Sequence, residues 1–164
     1  MELLTEIFKR LLAAKVEFSL IDGLASRHYG VSLVTEDVNI CTRFMPENLR
    51  RIESAFKEYH PRHRLTANKL PLELTDELCQ RLKNLYLTTD LGILDCLSEV
   101  AGIGDFDAVF RQSELKEFPF GRCFILKIDA LIQDKQAVGR PHDLIAVAQL
   151  QAIKEKGERK KELF

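Results

Sequence analysis

Three oxygen-bearing side chains and one glycine are the residues best suited to chemistry in this sequence. Asp37 and Asn39 stand two positions apart in Val34-Thr35-Glu36-Asp37-Val38-Asn39-Ile40, and the alternation predicts a strand over 34–41. Side chains two apart on a strand share a face, so this pair can converge on one hard cation such as Mg²⁺. Asp95 lies in the apolar run Ile93-Leu94-Asp95-Cys96-Leu97, where a lone carboxylate is costly unless it serves a site. Asp37, Asn39 and Asp95 are therefore the candidate metal ligands. Gly23 follows the apolar stretch 17–21 and precedes a short helix expected over 24–28. A glycine there lets a phosphate approach the backbone, and the N–H groups of Gly23, Leu24, Ala25 and Ser26 are the candidate donors.

The elements that must position these residues are legible in outline. Leu3, Leu4, Ile7, Phe8, Leu11 and Leu12 recur at helical spacing and predict an N-terminal helix. Strands are expected over 17–21, 34–41, 85–89, 93–97 and 122–126, the third and fourth forming a hairpin across Asp90-Leu91-Gly92. Pro46 starts a helix carrying Leu49, Ile52 and Phe56, and short helices are expected over 75–82 and 105–110. Two helices close the chain, one over 129–138 and one from Pro141 to about Lys154, parted by Gly139. The expected fold is one α+β domain over 1–154, a small mixed sheet flanked by helices, followed by a charged tail over 155–164 that frays.

In their order and spacing, these pieces resemble the nucleotidyltransferase superfamily typified by DNA polymerase beta, and most nearly its small prokaryotic minimal-nucleotidyltransferase and AbiEii-like branch. The resemblance is carried by Phe18-Ser19-Leu20-Ile21-Asp22-Gly23-Leu24-Ala25, by Gly30-Val31, by Val34 to Ile40, and by Thr88-Thr89-Asp90-Leu91-Gly92-Ile93-Leu94-Asp95-Cys96-Leu97. Lys135, Gly139-Arg140 and His142-Asp143-Leu144 add a weaker echo. The resemblance implies that a nucleoside triphosphate (NTP) binds at the Gly23 turn and that Mg²⁺ sits on Asp37 and its neighbour at 39. It further implies that Asp37 and Asp95 are the catalytic residues, Asp95 helping to activate an acceptor hydroxyl, so that a nucleoside monophosphate moves to the acceptor as pyrophosphate leaves. The acceptor is unassigned: a small molecule, an RNA end or a protein hydroxyl all fit. Two positions depart from the family pattern. Asn39 stands where an Asp is expected, and Asp22 stands where a Gly is expected. The first removes a charge from the metal set and the second adds one beside the phosphates. One alternative has Asp22 swing in as a substitute ligand. Another has the chain act as a catalytically silent binding or regulatory module with a protein partner, as in a toxin–antitoxin pair. A third is a metal-dependent nuclease on the same carboxylates.

Composition narrows the field around that site. The 164 residues hold 24 Lys and Arg against 25 Asp and Glu, so any polyanionic partner must be met by a local cluster of charge. Four dispersed cysteines without a Cys-x-x-Cys pair read as buried reduced thiols. Glu2, Glu6, Lys9 and Arg10 interrupt the N-terminal apolar residues, and no run approaches the roughly 20 apolar residues of a membrane span. A cytoplasmic location with no membrane association is expected. The basic residues Arg50, Arg51, Lys57, Arg62 and Arg64 read as a solvated face, His28 as an ordinary surface or core residue, and Asp143 as a cap of the last helix. For Lys135 and Arg140, phosphate contact and salt bridges are equally open.

Overall fold

A computed structural model describes residues 2–163; Met1, where the expected domain begins, and Phe164, the end of the expected tail, lie outside the described residues. Seven strands form one mixed sheet. In chain order they are β1 (Phe18–Leu20), β2 (Val38–Thr42), β3 (Arg62–His63), β4 (Asn84–Thr89) and β5 (Gly92–Leu97), then β8 (Ser113–Phe118) and β9 (Gly121–Leu126). Between β5 and β8 a small second sheet pairs β6 (Glu99–Val100) with β7 (Gly104–Asp105). The order in the main sheet is β3-β4-β5-β2-β1-β9-β8. β2 runs parallel to β5 and β1 parallel to β9, while the remaining neighbours are antiparallel. The helices are α1 (Glu2–Ala13), α2 (Asp22–Tyr29), α3 (Pro46–Phe56), α4 (Asp76–Arg81), α5 (Phe106–Arg111), α6 (Ile128–Val138) and α7 (Pro141–Leu163).

Local chemistry explains most of these boundaries. Pro46 opens α3, where its missing N–H costs nothing. Thr75 and Asp105 cap α4 and α5 by accepting from the N–H groups of Leu78 at 3.1 Å and Ala108 at 3.0 Å. Gly139 ends α6 in the left-handed conformation at φ 69°, and Pro141 begins α7. The expected mixed α/β architecture is present, with a larger sheet than the five strands anticipated. β8 was not expected because Ser-Glu-Leu-Lys-Glu-Phe carries polar side chains at an edge and offers little apolar signal. The expected fraying of 155–164 is also corrected: α7 continues unbroken to Leu163. Its charged residues remain helical because Lys, Glu and Arg are good helix formers.

The sheet is covered unequally. Leu85, Leu87, Leu94, Cys96, Val38 and Ile40 are buried on one face with Ile7, Leu11, Leu49, Ile52 and Phe56 of α1 and α3. Each fully buried Leu or Ile there contributes about 1.5–3 kcal/mol relative to exposure. All four cysteines are buried and free. Between these apolar positions, Asn39, Tyr86 and Thr88 are only half-buried, so the other face of the sheet is partly open. No helix among the described residues is long and apolar enough to cross a membrane.

Candidate functional site

Register brings Asn39 and Asp95 together. They are direct partners on the parallel pair β2–β5, and Asp95 in turn faces Tyr86 on β4. Adjacent strands lie about 4.8 Å apart, so the Asn39 and Asp95 side chains leave the sheet as neighbours on its open face. The row continues on both sides. The N–H of Ile21 donates to the Asn39 carbonyl at 3.1 Å, which sets the start of α2 beside Asn39. At the other end the N–H of Arg64 donates to the Tyr86 carbonyl at 2.8 Å. Asp37 is not on the strand, contrary to expectation: β2 begins at Val38, and residues 31–37 form an irregular segment. Asp37 still reaches the row electrostatically. The guanidinium of Arg64 is held above its usual range first by its hydrogen bond to Asp95, with the charge of Asp37 adding to the effect.

Arg64 is the residue that reading the sequence missed. It does not belong to a solvated face, since its Nη2 lies 2.5 Å from Oδ2 of Asp95. Arg50, from the same basic group, pairs with Asp76 at 2.6 Å on the surface. Arg64 reaches across β4 with its Cζ 5.7 Å from the centre of the Tyr86 ring. Asp95 is 7% exposed, and its Oδ1 has no hydrogen-bond partner; neither has the buried Nε of Arg64. An unpaired oxygen on a buried carboxylate costs about 1–3 kcal/mol or more, which makes this the clearest unmet polar demand among the described residues.

The phosphate side is built differently from expectation. The helix begins at Asp22, so Gly23 and Leu24 lie in its first turn and not in a preceding turn. Asp22 has φ 59°, a left-handed conformation that Gly adopts freely and Asp tolerates at a cost of about 1–2 kcal/mol. The missing side chain of Gly23 makes room for Thr35: a Cβ at 23 would lie 3.0 Å from the Thr35 Cβ and Oγ1. Ala25 and Ser26 are buried in the body of α2, and the Ser26 Oγ has no partner. The free N–H groups of the helix start therefore belong to the first turn, at Asp22, Gly23 and Leu24.

A second charged cluster meets the start of α2. Lys135 of α6, 5% exposed, places its Nζ 2.8 Å from Oδ1 of Asp22 and 3.8 Å from Oδ1 of Asp143. Arg140 binds Asp143 through its Nε at 2.7 Å and its backbone N–H at 3.2 Å. Asp143 thus caps α7 as expected. Burial pushes the Asp143 carboxyl up, but the hydrogen bond and charge of Arg140, aided by Lys135, bring it below the usual carboxylate range. Asp134 lacks such a partner, and burial followed by repulsion from Asp22 raises it to about 6. Lys135 and Arg140 thus form salt bridges, and Asp22 turns to Lys135 instead of substituting for a charge at Asn39.

The Lys135 cluster borders a cavity of about 700 Å³, which Tyr86 also lines but Asn39, Arg64 and Asp95 do not. Asp22, Tyr86, Asn84, Asp134, Lys135 and the hairpin segment 98–104 line it. That volume suits a nucleotide-sized ligand. Its charged lining comprises Asp22, Glu99, Asp134 and Asp143 against Lys83, Lys135 and Arg140, so a triphosphate meets no excess of positive charge. No group of three His, Cys, Asp or Glu among the described residues is close enough to hold a metal ion. The free Oδ1 of Asp95 and the neighbouring Asn39 are donors a hard cation uses, but Arg64 already holds the other Asp95 oxygen. The set fits a divalent ion only with Arg64 displaced. In comparisons with known proteins, the chain matches no protein-family model and no curated protein.

Proposed function

We propose that this chain is a nucleotidyltransferase-like domain of the small prokaryotic minimal-nucleotidyltransferase and AbiEii-like kind, acting in the cytoplasm with a weakened site. Its reaction would transfer a nucleoside monophosphate from an NTP to a hydroxyl acceptor. The observation that carries the reading is the direct pairing of Asn39 with Asp95 on parallel strands, one strand away from the helix start at Asp22. Bound Mg²⁺ would supply the Lewis acid for phosphoryl chemistry. The protein's own contributions are separable from that. The first-turn N–H groups of Gly23 and Leu24 would donate to phosphate oxygens, with the positive end of α2 behind them. Oδ1 of Asp95 is free to accept the acceptor's hydroxyl proton.

The ion pairs of Asp95 with Arg64 and of Asp22 with Lys135 favour a second reading, a catalytically silent binding or regulatory module, as in a toxin–antitoxin pair. Both readings meet one experiment: thermal unfolding with Mg²⁺ and a panel of triphosphates, followed by assay of pyrophosphate release. The transferase predicts a higher melting temperature with at least one triphosphate and pyrophosphate release. A thermal shift without release supports the silent module, and the absence of any shift sinks the nucleotide-binding reading.

A further inference from the structure

We infer that β8 is a docking edge for a second copy of this chain, the two strands pairing antiparallel about Leu115 so that two seven-stranded sheets join into one. The inference goes beyond the nucleotidyltransferase-like reading and does not depend on it. The two edges of the sheet differ. At β3 the chain turns back on itself: the N–H of His63 donates to the Leu70 carbonyl and the N–H of Leu72 to the Pro61 carbonyl, both at 2.9 Å. β8 is six residues long, stands last in the sheet and is paired on one side only. The N–H of Lys127 donates to the Gln112 carbonyl at 2.9 Å, one step beyond the register pair Ser113–Leu126. Bonding alternates along an antiparallel pair, so Glu114, Lys116 and Phe118 turn their backbone groups towards β9, and Ser113, Leu115 and Glu117 turn theirs outward. The outward N–H and carbonyl groups of Leu115 and Glu117 have no hydrogen-bond partner among the described residues. An unpaired row of this kind is a template for another strand.

Charge selects both the occupant and the register. A closed two-fold pairing that joins outward groups to outward groups must centre on a residue of the strand. Centred on Glu114, Lys116 or Glu117, it sets that charge directly opposite its own copy, which is destabilising. Centred on Ser113 or Phe118, it leaves nearly all of β8 unpaired. Centred on Leu115, it sets Glu114 opposite the second copy's Lys116, and Lys116 opposite the second copy's Glu114. These are the pairs without backbone bonds between them, whose side chains stand closest. Within one chain the Lys116 Nζ already lies 3.5 Å from Oε1 of Glu114, so docking extends this pair into four alternating charges. On the opposite face of the strand the same centre sets Leu115 against Leu115. That side chain is 48% exposed in the single chain, and its cross-strand neighbour Phe124 has its ring centre 4.7 Å from that of Phe110. Pairing therefore joins two apolar patches while it satisfies the outward backbone groups.

Sedimentation equilibrium of the whole chain tests this. The unsubstituted protein is expected to approach twice the 18.8 kDa of one chain as its concentration rises through the micromolar range. Glu114→Lys and Lys116→Glu, each alone, should self-associate about tenfold less tightly or worse, because each sets like charges opposite one another. An equimolar mixture of the two variants should recover association, since each then offers the charge the other lacks. A chain that stays monomeric throughout that range overturns the inference. So do single variants that associate as tightly as the unsubstituted protein, or a mixture no tighter than its components. Should a variant fail to fold, amide hydrogen exchange in the unsubstituted protein decides. Exchange of the Leu115 and Glu117 N–H groups must slow as concentration rises, while that of Glu114 and Lys116, already bonded to β9, stays slow at every concentration. Exchange at Leu115 and Glu117 that ignores concentration sinks the edge-to-edge pairing.

Discussion

The molecule holds two buried acid–base assemblies, and they solve the same electrostatic problem in opposite ways. Around Lys135, one enclosed ammonium is shared between Asp22 and Asp143, while Arg140 binds Asp143 and burial raises Asp134 to about 6. At Asp95, one carboxylate meets one guanidinium and leaves an atom of each unpaired. The first arrangement ties the starts of α2 and α7 to α6 and behaves as structure. The second is incomplete, and its Arg64 side chain is 27% exposed. Burial of charge is common to both, so burial does not distinguish a structural network from a functional one; the satisfaction of its atoms does.

Perturbing each cluster breaks or sharpens this contrast, and the largest effect is expected at the network. Lys135→Met leaves Asp143, itself 1% exposed, and Asp22 without the shared ammonium and should cost about 3–5 kcal/mol in urea unfolding. A loss below about 1 kcal/mol would show that Arg140 alone holds the cluster. Arg64→Met should cost less, about 1.5–3 kcal/mol, because its partner is a single carboxylate beside solvent-accessible space. Equal costs at the two positions would erase the distinction between network and site.

The third expectation is a pH dependence belonging to the network. Asp134 is raised to about 6 in the folded chain, above the ordinary unfolded value of about 3.9. Folded protein therefore holds a proton that the unfolded chain has released between those values, and stability falls by about 3 kcal/mol as pH rises through that window. The contribution is full below about pH 4 and gone above about pH 6. Asp134→Asn should flatten this part of the profile in unfolding titrations; an unchanged slope would assign the proton elsewhere. The smallest effect is expected for Asp22→Gly. Relief of the left-handed backbone at 22 offsets loss of the 2.8 Å contact to Lys135, leaving a net change within about 1 kcal/mol. A loss near that of Lys135→Met would show that Asp22 is the network's main anchor.

Much of the fold was legible because its signals are local. Helical spacing exposed α1 and α3, Pro46 and Gly139 marked element ends, and the β4–β5 hairpin declared itself through a close pair of apolar runs about a turn. The edge strand β8 and the helical continuation through 155–163 were missed, since neither has the apolar periodicity on which such reading depends. At the site, Asp95 and Asn39 could be singled out by residue type, whereas Asp37 was assigned to a strand it only precedes. Arg64 carried one faint signal: alternation from Arg62 places it one side-chain repeat further along a basic run.

By itself, then, the sequence determined which side chains were available and which elements carried them: an amide at 39 and carboxylates at 22 and 95. Spacing along a chain says nothing about which residues face one another across strands 31 or more positions apart. Only the tertiary structure decided that Asn39 and Asp95 are register partners, that Arg64 reaches over Tyr86 to that carboxylate, and that Lys135 takes Asp22. The physical reason is that a charge is set by its residue, whereas its partner is set by strand order, register and the helix packed above it.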